Sequence, residues 1–301
     1  MRTLSRISLL AVGLITVAAA TLAAPASAQE LIGTLKKIKD SGSITLGTRE
    51  TSIPFSFLDD KQQPIGYSMD ICAAIVEEVK KELQLATLNV KMNPVVPQTR
   101  IPLMANGTID LECGSTTNNL TRARQVAFAP ITFITGTKLL VKKSSKIKSY
   151  KDLKNKTVVV TQGTTNERKI KELSDKEGLN IKFLNAKDHA ESFLSVESGR
   201  ATAFAMDDVL LYGLAAKAKK PKDFDVIGEY LSYDPYGIMY RKNDADFGVV
   251  VNRAISRLMA SGDLAKLYDK WFMQKLPDGS TMAIPLSPLL KAAFQIQALP
   301  E

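Results

Sequence analysis

The 301-residue sequence predicts an α/β protein with two lobes, and three features support this prediction. Short apolar strands alternate with amphipathic helices, which is typical of α/β folds with mostly parallel sheets. A long apolar, β-rich segment over residues 127–141 interrupts this alternation, which then starts again. A second β-rich segment, residues 233–240, leads into the last helices. We therefore expect one lobe from residues 29–135 and 237–301, a second from residues 136–236, and two crossing strands between them.

The individual elements follow from hydrophobic periodicity. The clearest is an amphipathic helix over residues 70–84, in which Ile71, Ile75 and Val79 recur on one face and charged residues occupy the other. The other predicted helices cover residues 101–106, a segment from 166, a segment from about 188, 208–217, 245–261, 264–272 and a terminal segment around 286–294. The predicted strands cover residues 43–47, 88–92, 109–113, 157–161, 181–184, 202–206 and 237–241.

The first 28 residues have the layout of a secretory signal peptide. Arg2 and Arg6 precede an apolar run over residues 7–24, and residues 26–28 (Ala-Ser-Ala) form a cleavage site. We expect cleavage after Ala28; the alternative is an uncleaved membrane anchor. No other apolar run in the sequence is long enough to span a membrane as a helix, so a multispan membrane protein is excluded.

The charge balance narrows the function. Residues 1–28 contain Arg2 and Arg6 and no acidic residue, so the 40 basic residues fall to 38 against 31 acidic ones, a net charge of +7. A basic balance is compatible with nucleic acid, an anionic membrane or an acidic small ligand. The lysines are scattered and no nucleic-acid-binding motif occurs, so we expect no nucleic-acid partner and favour the acidic small ligand.

Cofactor and catalytic motifs are mostly missing. The sequence has no Walker A loop, no G-x-G-x-x-G, and no H-E-x-x-H or C-x-x-C spacing. The single histidine, His189, excludes a metal site built from several histidines. Counting residues does not exclude a Ser-His-Asp triad, although no G-x-S-x-G turn occurs. We expect no cofactor and no metal ion.

A polar loop directly follows the strand predicted over residues 109–113. This first polar loop, residues 113–119 (CGSTTNN), offers the hydroxyls of Ser115 and Thr117, and Arg122 lies just beyond it. A guanidinium together with hydroxyl and N–H donors is suited to a carboxylate. The alternative is a capped turn with a solvated arginine, because Ser/Thr/Asn clusters usually form turns.

A similar loop follows the strand over residues 157–161. This second polar loop, residues 162–166 (QGTTN), opens a helix, so its N–H groups together with Thr164 and Thr165 can face an anion. The alternative is simple capping, with Thr165 or Asn166 as the N-cap. Because the two loops occupy matching places in the two lobes, they can hold one small anion from both sides.

Five more titratable side chains stand near strand ends or helix starts. Arg49 follows the first strand, Arg100 opens a short helix, and His189 opens another. Each alone is compatible with an ordinary surface position. Asp207 and Asp208 close a strand; one of them can receive an ammonium group, while helix capping explains the other.

Both cysteines are predicted near the carboxyl ends of strands. Cys72 lies early in the helix over residues 70–84, and Cys113 ends a strand beside the first polar loop. Export favours oxidation, but sequence alone does not give the Cα separation. A Cys72–Cys113 disulfide and two free thiols therefore both remain open.

Several stretches together resemble the periplasmic solute-binding proteins of ATP-binding-cassette (ABC) amino-acid importers (solute-binding protein family 3), and within them the glutamate/aspartate-binding group. They are GTRETSIPFSF (47–57), GYSMDIC (66–72), QTRIPLMANGTIDLECGSTTNN (98–119), VVVTQGTTNE (158–167), NAKDHAESF (185–193), ESGRATAFAMDD (197–208) and LYDKWF (267–272). The resemblance implies a two-lobed type II periplasmic-binding-protein fold whose cleft closes on a ligand. It also implies a monomer in the periplasm that works with a membrane ABC permease.

The resemblance also assigns roles to residues. Arg122, Ser115 and Thr117, with Thr164 and Thr165 from the other lobe, are expected to hold the α-carboxylate of L-glutamate or L-aspartate. The ammonium group is assigned to Asp207, and the side-chain carboxylate to Arg49, Arg100 and His189. This set of three arginines, one histidine and one aspartate matches a ligand with two anions and one cation.

Two positions depart from the family pattern. Pro97 stands where a hydroxyl residue is expected, which leaves the preference between glutamate and aspartate open. Ser52 stands where an aromatic platform is expected, and Phe55 or Tyr67 is the predicted substitute.

The resemblance leaves two alternatives to a transport protein. The same fold hosts a periplasmic cyclohexadienyl dehydratase acting on prephenate or arogenate, which needs a general acid such as His189 or Glu112. The other alternative is a sensor protein that presents its ligand to a receptor. We expect a binding protein without catalysis.

Overall fold

The computed structural model describes residues 30–300, so the predicted signal peptide and its cleavage site lie outside the described residues. It has the predicted α/β architecture with two lobes, each built around a five-stranded sheet. The strands are β1 (Ser43–Thr48), β2 (Thr51–Ser52), β3 (Ser56–Leu58), β4 (Pro64–Ile65), β5 (Asn89–Pro94), β6 (Leu111–Glu112), β7 (Val126–Phe128), β8 (Phe133–Thr135), β9 (Thr137–Lys142), β10 (Thr157–Thr161), β11 (Lys182–Ala186), β12 (Ala203–Asp207), β13 (Phe224–Ile227), β14 (Asp234–Tyr236) and β15 (Met239–Arg241).

The helices cover one or both faces of these sheets. They are α1 (Gly33–Ser41), α2 (Tyr67–Glu82), α3 (Arg100–Ala105), α4 (Thr165–Lys176), α5 (His189–Glu197), α6 (Asp208–Ala216), α7 (Ala245–Ala260), α8 (Asp263–Phe272) and α9 (Pro288–Gln297). Short 3₁₀ helices cover Arg122–Arg124, Lys143–Ser145, Tyr150–Leu153 and Pro221–Asp223. No helix among residues 30–300 is long and apolar enough to cross a membrane.

The two large sheets have the same internal plan. The strand order is β5-β1-β6-β15-β7 in the first sheet and β11-β10-β12-β9-β13 in the second. In each sheet three strands pair in parallel, and their carboxyl ends point to one edge. Each sheet also contains two antiparallel pairs, so both are mixed rather than mostly parallel.

The antiparallel pairs arise where the chain enters a lobe. Strands β8 and β14 cross between the lobes and pair with each other in antiparallel fashion. Strand β9 follows β8, and β15 follows β14. Each entering strand starts at the edge where the parallel strands end, since Thr137 pairs with Asp207. It must therefore run against them.

The predicted crossing segment over residues 127–141 is not one strand. It forms β7, β8 and β9, with breaks around Pro130 and at Gly136. A Cβ at Gly136 would collide with the carbonyl oxygen of Ser232 on the returning chain. The close approach of these two backbones therefore ends β8 and requires a glycine.

The burial of side chains agrees with the elements that hydrophobic periodicity predicted. In β10, Thr-Val-Val-Val-Thr, only Thr157 is partly exposed, as expected for a central strand covered on both faces. Helix α2 buries Ile71, Ile75 and Val79, and the Glu78 carboxylate on α2 accepts hydrogen bonds from Arg257 on α7. The sequence pattern did not indicate α1, β13 or the small sheet β2-β3-β4, because these elements are short and carry little periodicity.

An aromatic cluster ties the crossing strands to the first lobe. Its members are Phe55, Tyr67, Phe133, Tyr236, Tyr268 and Phe272. The ring of Phe133 on β8 stacks on Phe272 at 4.9 Å between centroids, and Phe55 meets Tyr236 on β14 at 5.1 Å. The Tyr67 hydroxyl donates to the carbonyl of Thr132. Phe55 and Tyr67 are thus packed around the crossing strands.

Candidate functional site

The nine predicted site residues lie together where the two sheets face each other. Those of the first lobe follow β1, begin α3 or belong to the segment 115–122 after β6. Those of the second lobe follow β10, begin α5 or end β12. This arrangement results from the parallel strands, whose carboxyl ends point to one edge in each lobe. Direct side-chain contacts connect the site residues of the first lobe with those of the second.

Three arginines of the first lobe are buried in this region. Arg49, Arg100 and Arg122 expose 1%, 2% and 7% of their surface. Burial and, next to it, the positive charge of Arg100 together lower the pKa of Arg49 and of Arg122 to about 9. The pKa of Arg100 is also lowered by burial. All three stay protonated near neutral pH, so the site concentrates positive charge.

Arg100 is held by the first polar loop. Its Nη1 donates to the Thr116 hydroxyl at 2.6 Å and to the Ser115 carbonyl at 3.2 Å. The Thr116 hydroxyl in turn donates to Glu112 Oε2 at 2.5 Å. Arg100 Nη1 also lies 3.9 Å from Glu112 Oε1, which is an ion-pair distance but not a hydrogen bond.

Arg122 connects the two polar loops. Its Nη1 donates to the Thr117 carbonyl of the first loop at 3.0 Å, and its Nη2 donates to the Gly163 carbonyl of the second at 3.2 Å. Gly163 packs against the backbone of the other lobe, because a Cβ there would lie 2.7 Å from the Cα of Gln98. The two lobes therefore meet through main-chain atoms at Gly163 and Gln98, which we call the rim of the cleft.

His189 bridges to Arg49 from the second lobe. The Arg49 Nη2 donates to His189 Nε2 at 3.2 Å, so Nε2 is the acceptor and the proton resides on Nδ1. Nδ1 lies 3.1 Å from the Thr161 hydroxyl, which contacts Ser192 at 2.8 Å. Burial, Arg49 and Arg100 all lower the pKa of His189 well below its usual value. The imidazole is therefore neutral.

Asp207 is the central acid of the second lobe. Its Oδ1 accepts a hydrogen bond from Asn166 Nδ2 at 2.8 Å, and its Oδ2 accepts one from the Tyr236 hydroxyl. Burial and the nearby Asp234 raise the pKa of Asp207 to about 7, while its two hydrogen bonds oppose the shift. This carboxyl is therefore poised to lose a proton when a cation approaches.

Asp234 joins the lobes through hydroxyl groups. Its Oδ1 accepts from Thr117 at 3.1 Å and from Thr165 at 2.9 Å, and its Oδ2 accepts from Ser232. The hydroxyls of Thr117 and Thr165 also lie 3.4 Å apart. Each threonine comes from a different polar loop, so Asp234 on β14 is a shared acceptor at the hinge.

Some buried polar atoms around these residues have no hydrogen-bond partner within residues 30–300. They are Arg49 Nη1, Arg100 Nε, Glu112 Oε1, Ser115 Oγ and Asn166 Oδ1. Leaving such atoms without a partner costs free energy. Most of them are donors, so they are suited to the oxygen atoms of an anionic ligand.

Comparison with known proteins places the fold and this region in context. A family model described as bacterial extracellular solute-binding proteins, family 3, matches residues 44–274. The chain belongs to this family. The L-glutamate/L-aspartate-binding protein of Pseudomonas aeruginosa is similar to it, with 53% identity over 91% of this chain and 92% of that protein. The glutamate/aspartate import solute-binding protein of Salmonella typhimurium is 48% identical over 87% of each chain.

A solved structure shares the architecture at lower identity. It is an ancestral amino acid-binding protein described as a precursor of cyclohexadienyl dehydratase. Its TM-score with this solute-binding protein is 0.69 and its identity is 30%, over 79% of this chain and 99% of that one.

The Thr164 side chain of this solute-binding protein has a more local role than the sequence suggested. The Thr164 hydroxyl accepts from the Glu167 N–H at 3.1 Å and donates to the Thr161 carbonyl at 2.7 Å. Thr164 is therefore the N-cap of α4, and the expectation of Thr165 or Asn166 was wrong by one or two residues. The Asp208 carboxylate accepts from the Val209 N–H at 2.7 Å, whereas Asp207 makes no side-chain cap.

The cysteines of this solute-binding protein are joined. A disulfide links Cys72 on α2 to Cys113 at the start of the first polar loop, with 6.1 Å between the Cα atoms. The Ser68 hydroxyl, also on α2, donates to the Gly114 carbonyl at 2.8 Å. The first polar loop is therefore fixed to α2 at its beginning.

The sequence-based count of charges in the site was incomplete. Glu112 and Asp234 add two buried carboxylates, and His189 contributes no charge. The signal for both acids was present, since Glu112 lies within the strand predicted over residues 109–113 and Asp234 within the β-rich segment 233–240. No group of three or more metal-ligating side chains occurs among residues 30–300.

Proposed function

We propose that this solute-binding protein captures L-glutamate or L-aspartate in the periplasm and delivers it to a membrane ABC permease. The observation that carries the proposal is the pairing of three buried arginines in one lobe with a buried aspartate in the other. A dicarboxylic amino acid has two carboxylates for the arginines and one ammonium for the aspartate. The names of the two bacterial relatives support the same ligands.

In this proposal the α-carboxylate binds between the two polar loops. Arg122 supplies the guanidinium, and Ser115 and Thr117 supply hydroxyls from the same lobe, the Thr117 hydroxyl turning from Asp234 to the ligand. Thr165 contributes from the second lobe, at the N-terminus of α4, where backbone N–H groups favour an anion. Thr164 contributes indirectly, because its hydroxyl caps that helix.

The ammonium group binds Asp207. The pKa of this carboxyl is about 7, mainly because it is buried. A cation beside it stabilises the ionised form and lowers its pKa. Binding below neutral pH therefore releases a proton from Asp207, which is a measurable signature of this subsite.

The side-chain carboxylate binds Arg49 and Arg100, with the neutral His189 beside them. Two donor atoms here, Arg49 Nη1 and Arg100 Nε, lack a partner within residues 30–300. A carboxylate satisfies such donors better than an amide, whose NH₂ group brings donors toward donors. Specificity for acidic over amide side chains follows. Pro97 lies beside Gly163, where the two lobes meet.

Ligand capture involves closure of the lobes about β8 and β14. We place the lobe boundaries at residues 135/136 and 236/237, with the mature protein beginning at Gln29 and acting as a monomer. A ligand that contacts both polar loops selects the closed arrangement. Family membership and the names of the relatives support a binding role without catalysis, as the sequence predicted.

Calorimetric titration of the refolded, ligand-stripped protein tests the proposal. The ligands are glutamate, aspartate, glutamine, asparagine and succinate. Tight one-to-one binding of glutamate or aspartate with weak binding of both amides is expected, and it also ranks the two acidic amino acids. Absence of heat with every ligand contradicts the proposal. Formation of phenylpyruvate from prephenate would instead favour the dehydratase alternative.

A further inference from the structure

Glu112 is a fully buried carboxylate outside the predicted set of ligand-binding residues. It lies on β6, in the middle of the first sheet, where it pairs with Gly47 on β1 and Met239 on β15. A central strand held on both sides gives the side chain a fixed position. The Glu112 carboxylate points toward the arginines of the site, as its contacts with Thr116 and Arg100 establish.

The Glu112 carboxylate is shared by all three arginines. It raises the pKa of Arg49, Arg100 and Arg122, so its negative charge acts on each of them. Its Oε1 occupies the space above Gly114, where a Cβ would collide with Oε1 and would lie 2.9 Å from Arg49 Cγ. Gly114 therefore makes room for the carboxylate between Arg49 and Arg100.

The link to Arg100 runs through a hydroxyl. Arg100 donates to Thr116 at 2.6 Å, and Thr116 donates to Glu112 at 2.5 Å. This relay fixes the guanidinium and uses one Glu112 oxygen. The other oxygen, Oε1, has no hydrogen-bond partner within residues 30–300 and lies 3.9 Å from Arg100 Nη1. The direct interaction of Oε1 with Arg100 is therefore through charge alone, and the hydrogen-bonded link runs through Thr116.

We infer that Glu112 is a specificity-determining residue that positions Arg100 and sets how much negative charge the site accepts. This inference rests on the proposed function and deepens it. Arg49, Arg100 and Arg122 bring three positive charges, and Glu112 removes one of them. This reduces the uncompensated positive charge that the fold has to bury, since buried arginines without a counter-charge are costly. Glu112 therefore weakens the attraction for the ligand's second carboxylate to a level that still allows release.

The isosteric substitution Glu112→Gln tests the charge. It removes the counter-charge and leaves the shape, so the surplus of positive charge acts fully on the ligand. The ratio of the glutamine Kd to the glutamate Kd should rise by about tenfold or more, as expected for one charge a few ångströms away in a poorly solvated site. Glu112→Asp keeps the charge and shortens the side chain, so its ratio should stay near that of the wild type.

Glu50→Gln is the matched control. Glu50 is exposed and lines, with Arg49, a crevice of about 70 Å³. Removing its charge near the same arginine should change the Kd ratio less than about twofold, because exposed charges are screened. An effect of Glu50→Gln as large as that of Glu112→Gln would show that the buried position of the Glu112 charge does not matter for specificity. That result would overturn the inference.

Thr116 tests the relay without changing charge. Thr116→Ser keeps the hydroxyl and should bind glutamate like the wild type, whereas Thr116→Val should weaken glutamate binding about tenfold. These variants also cover the case in which Glu112→Gln does not fold. Equal binding by Thr116→Val and Thr116→Ser overturns the positioning role.

The outcomes separate this inference from the proposed function. A wild-type protein that binds neither glutamate nor aspartate contradicts the proposed function itself. If the wild type binds them but Glu112→Gln leaves the Kd ratio unchanged or lowers it, only the role of Glu112 is overturned. An equal loss of affinity for glutamate and glutamine in Glu112→Gln would mark Glu112 as structural and would likewise contradict the inference.

Discussion

The two halves of the site differ in charge although the two lobes share a strand plan. The first lobe supplies the three buried arginines, Arg49, Arg100 and Arg122. The second lobe supplies the hydroxyl of Thr165, the neutral His189 and the acid Asp207. An anion alone is attracted to one half only. A ligand that carries both carboxylates and an ammonium is attracted to both, so its chemistry determines whether the lobes are held together.

The two polar loops also differ in how they are supported. The first is bound to α2 by the Cys72–Cys113 disulfide and bridges to the crossing strand, where Thr117 pairs with Tyr236. The second is the N-terminus of α4, capped by Thr164. The arginine-rich half is therefore fixed by long-range links, and the other half by local helix geometry. Four sets of variants test this contrast, from the largest expected effect to the smallest.

Arg122→Ala should have the largest effect. Arg122 is the one arginine of the three seen to donate to both polar loops, and its truncation removes the proposed partner of the α-carboxylate. The loss should be at least about 100-fold in affinity for every amino acid, since removing one partner of a buried charge pair costs about 3 kcal/mol. Calorimetry with glutamate and glutamine measures it.

Arg124→Ala is the control for that loss. Arg124 stands two residues further on, in the same 3₁₀ helix, with an exposed side chain. It should bind all ligands as the wild type does. Wild-type affinity in Arg122→Ala would contradict the assignment of the α-carboxylate.

Arg49→Ala and Arg100→Ala should have smaller and selective effects. Each should weaken glutamate and aspartate by about 10- to 100-fold while leaving any weak binding of glutamine nearly unchanged, because only the side-chain carboxylate loses its partner. Competition titrations against both ligand classes measure the selectivity. An equal loss of affinity for acidic and amide ligands would show that these arginines do not distinguish the side chain of the ligand.

Asp207→Asn should change the pH dependence more than the affinity. Burial raises the pKa of Asp207 from 3.8 to about 7. Between about pH 4 and 7 the folded protein therefore holds a proton that the unfolded chain has lost. The stability contributed by this group falls as pH rises through that window, whereas glutamate affinity rises because ionised Asp207 binds the ammonium.

Calorimetry at pH 6 in two buffers with different ionisation enthalpies detects the proton released on binding. Asp207→Asn should abolish most of that release and reduce glutamate affinity about tenfold at pH 8. A wild-type protein that binds glutamate at pH 6 without releasing a proton would contradict the role of Asp207.

Removal of the disulfide should change affinity least. The bridge closes a segment with a sequence separation of 41 residues. The Cys72→Ala, Cys113→Ala double variant should lose about 2–4 kcal/mol of unfolding free energy, with glutamate affinity reduced only a few-fold. Chemical denaturation and calorimetry measure the two effects. A loss of binding free energy larger than the loss of unfolding free energy would show that the bridge acts mainly on the first polar loop.

The sequence predicted the elements with strong periodicity and the polar groups next to strand ends. The strand Thr157–Thr161 has the predicted bounds, because an unbroken run of β-branched residues strongly favours a β-strand. Arg49, Arg100 and His189 were named from their places after strands or at helix starts. Family resemblance then supplied their roles, which position alone did not.

Partners far apart in sequence explain what could not be predicted. Asp234 is a shared acceptor only because Thr117 and Thr165 approach it from two lobes. Glu112 is a counter-charge only because α3 and the first polar loop bring Arg100 and Thr116 to it. Whether Thr164 or its neighbour caps α4 depends on one turn of backbone, which lies below the resolution of sequence patterns.

The glycine at the rim has an evolutionary consequence. Gly163 meets Gln98 through backbone atoms, so the closed geometry there does not depend on which side chains surround the ligand. Substitutions deeper in the cleft can then change what is recognised without remodelling the surface on which the lobes meet. A scaffold of this kind can acquire a new nutrient by a few side-chain replacements while its hinge and its closing motion are inherited intact.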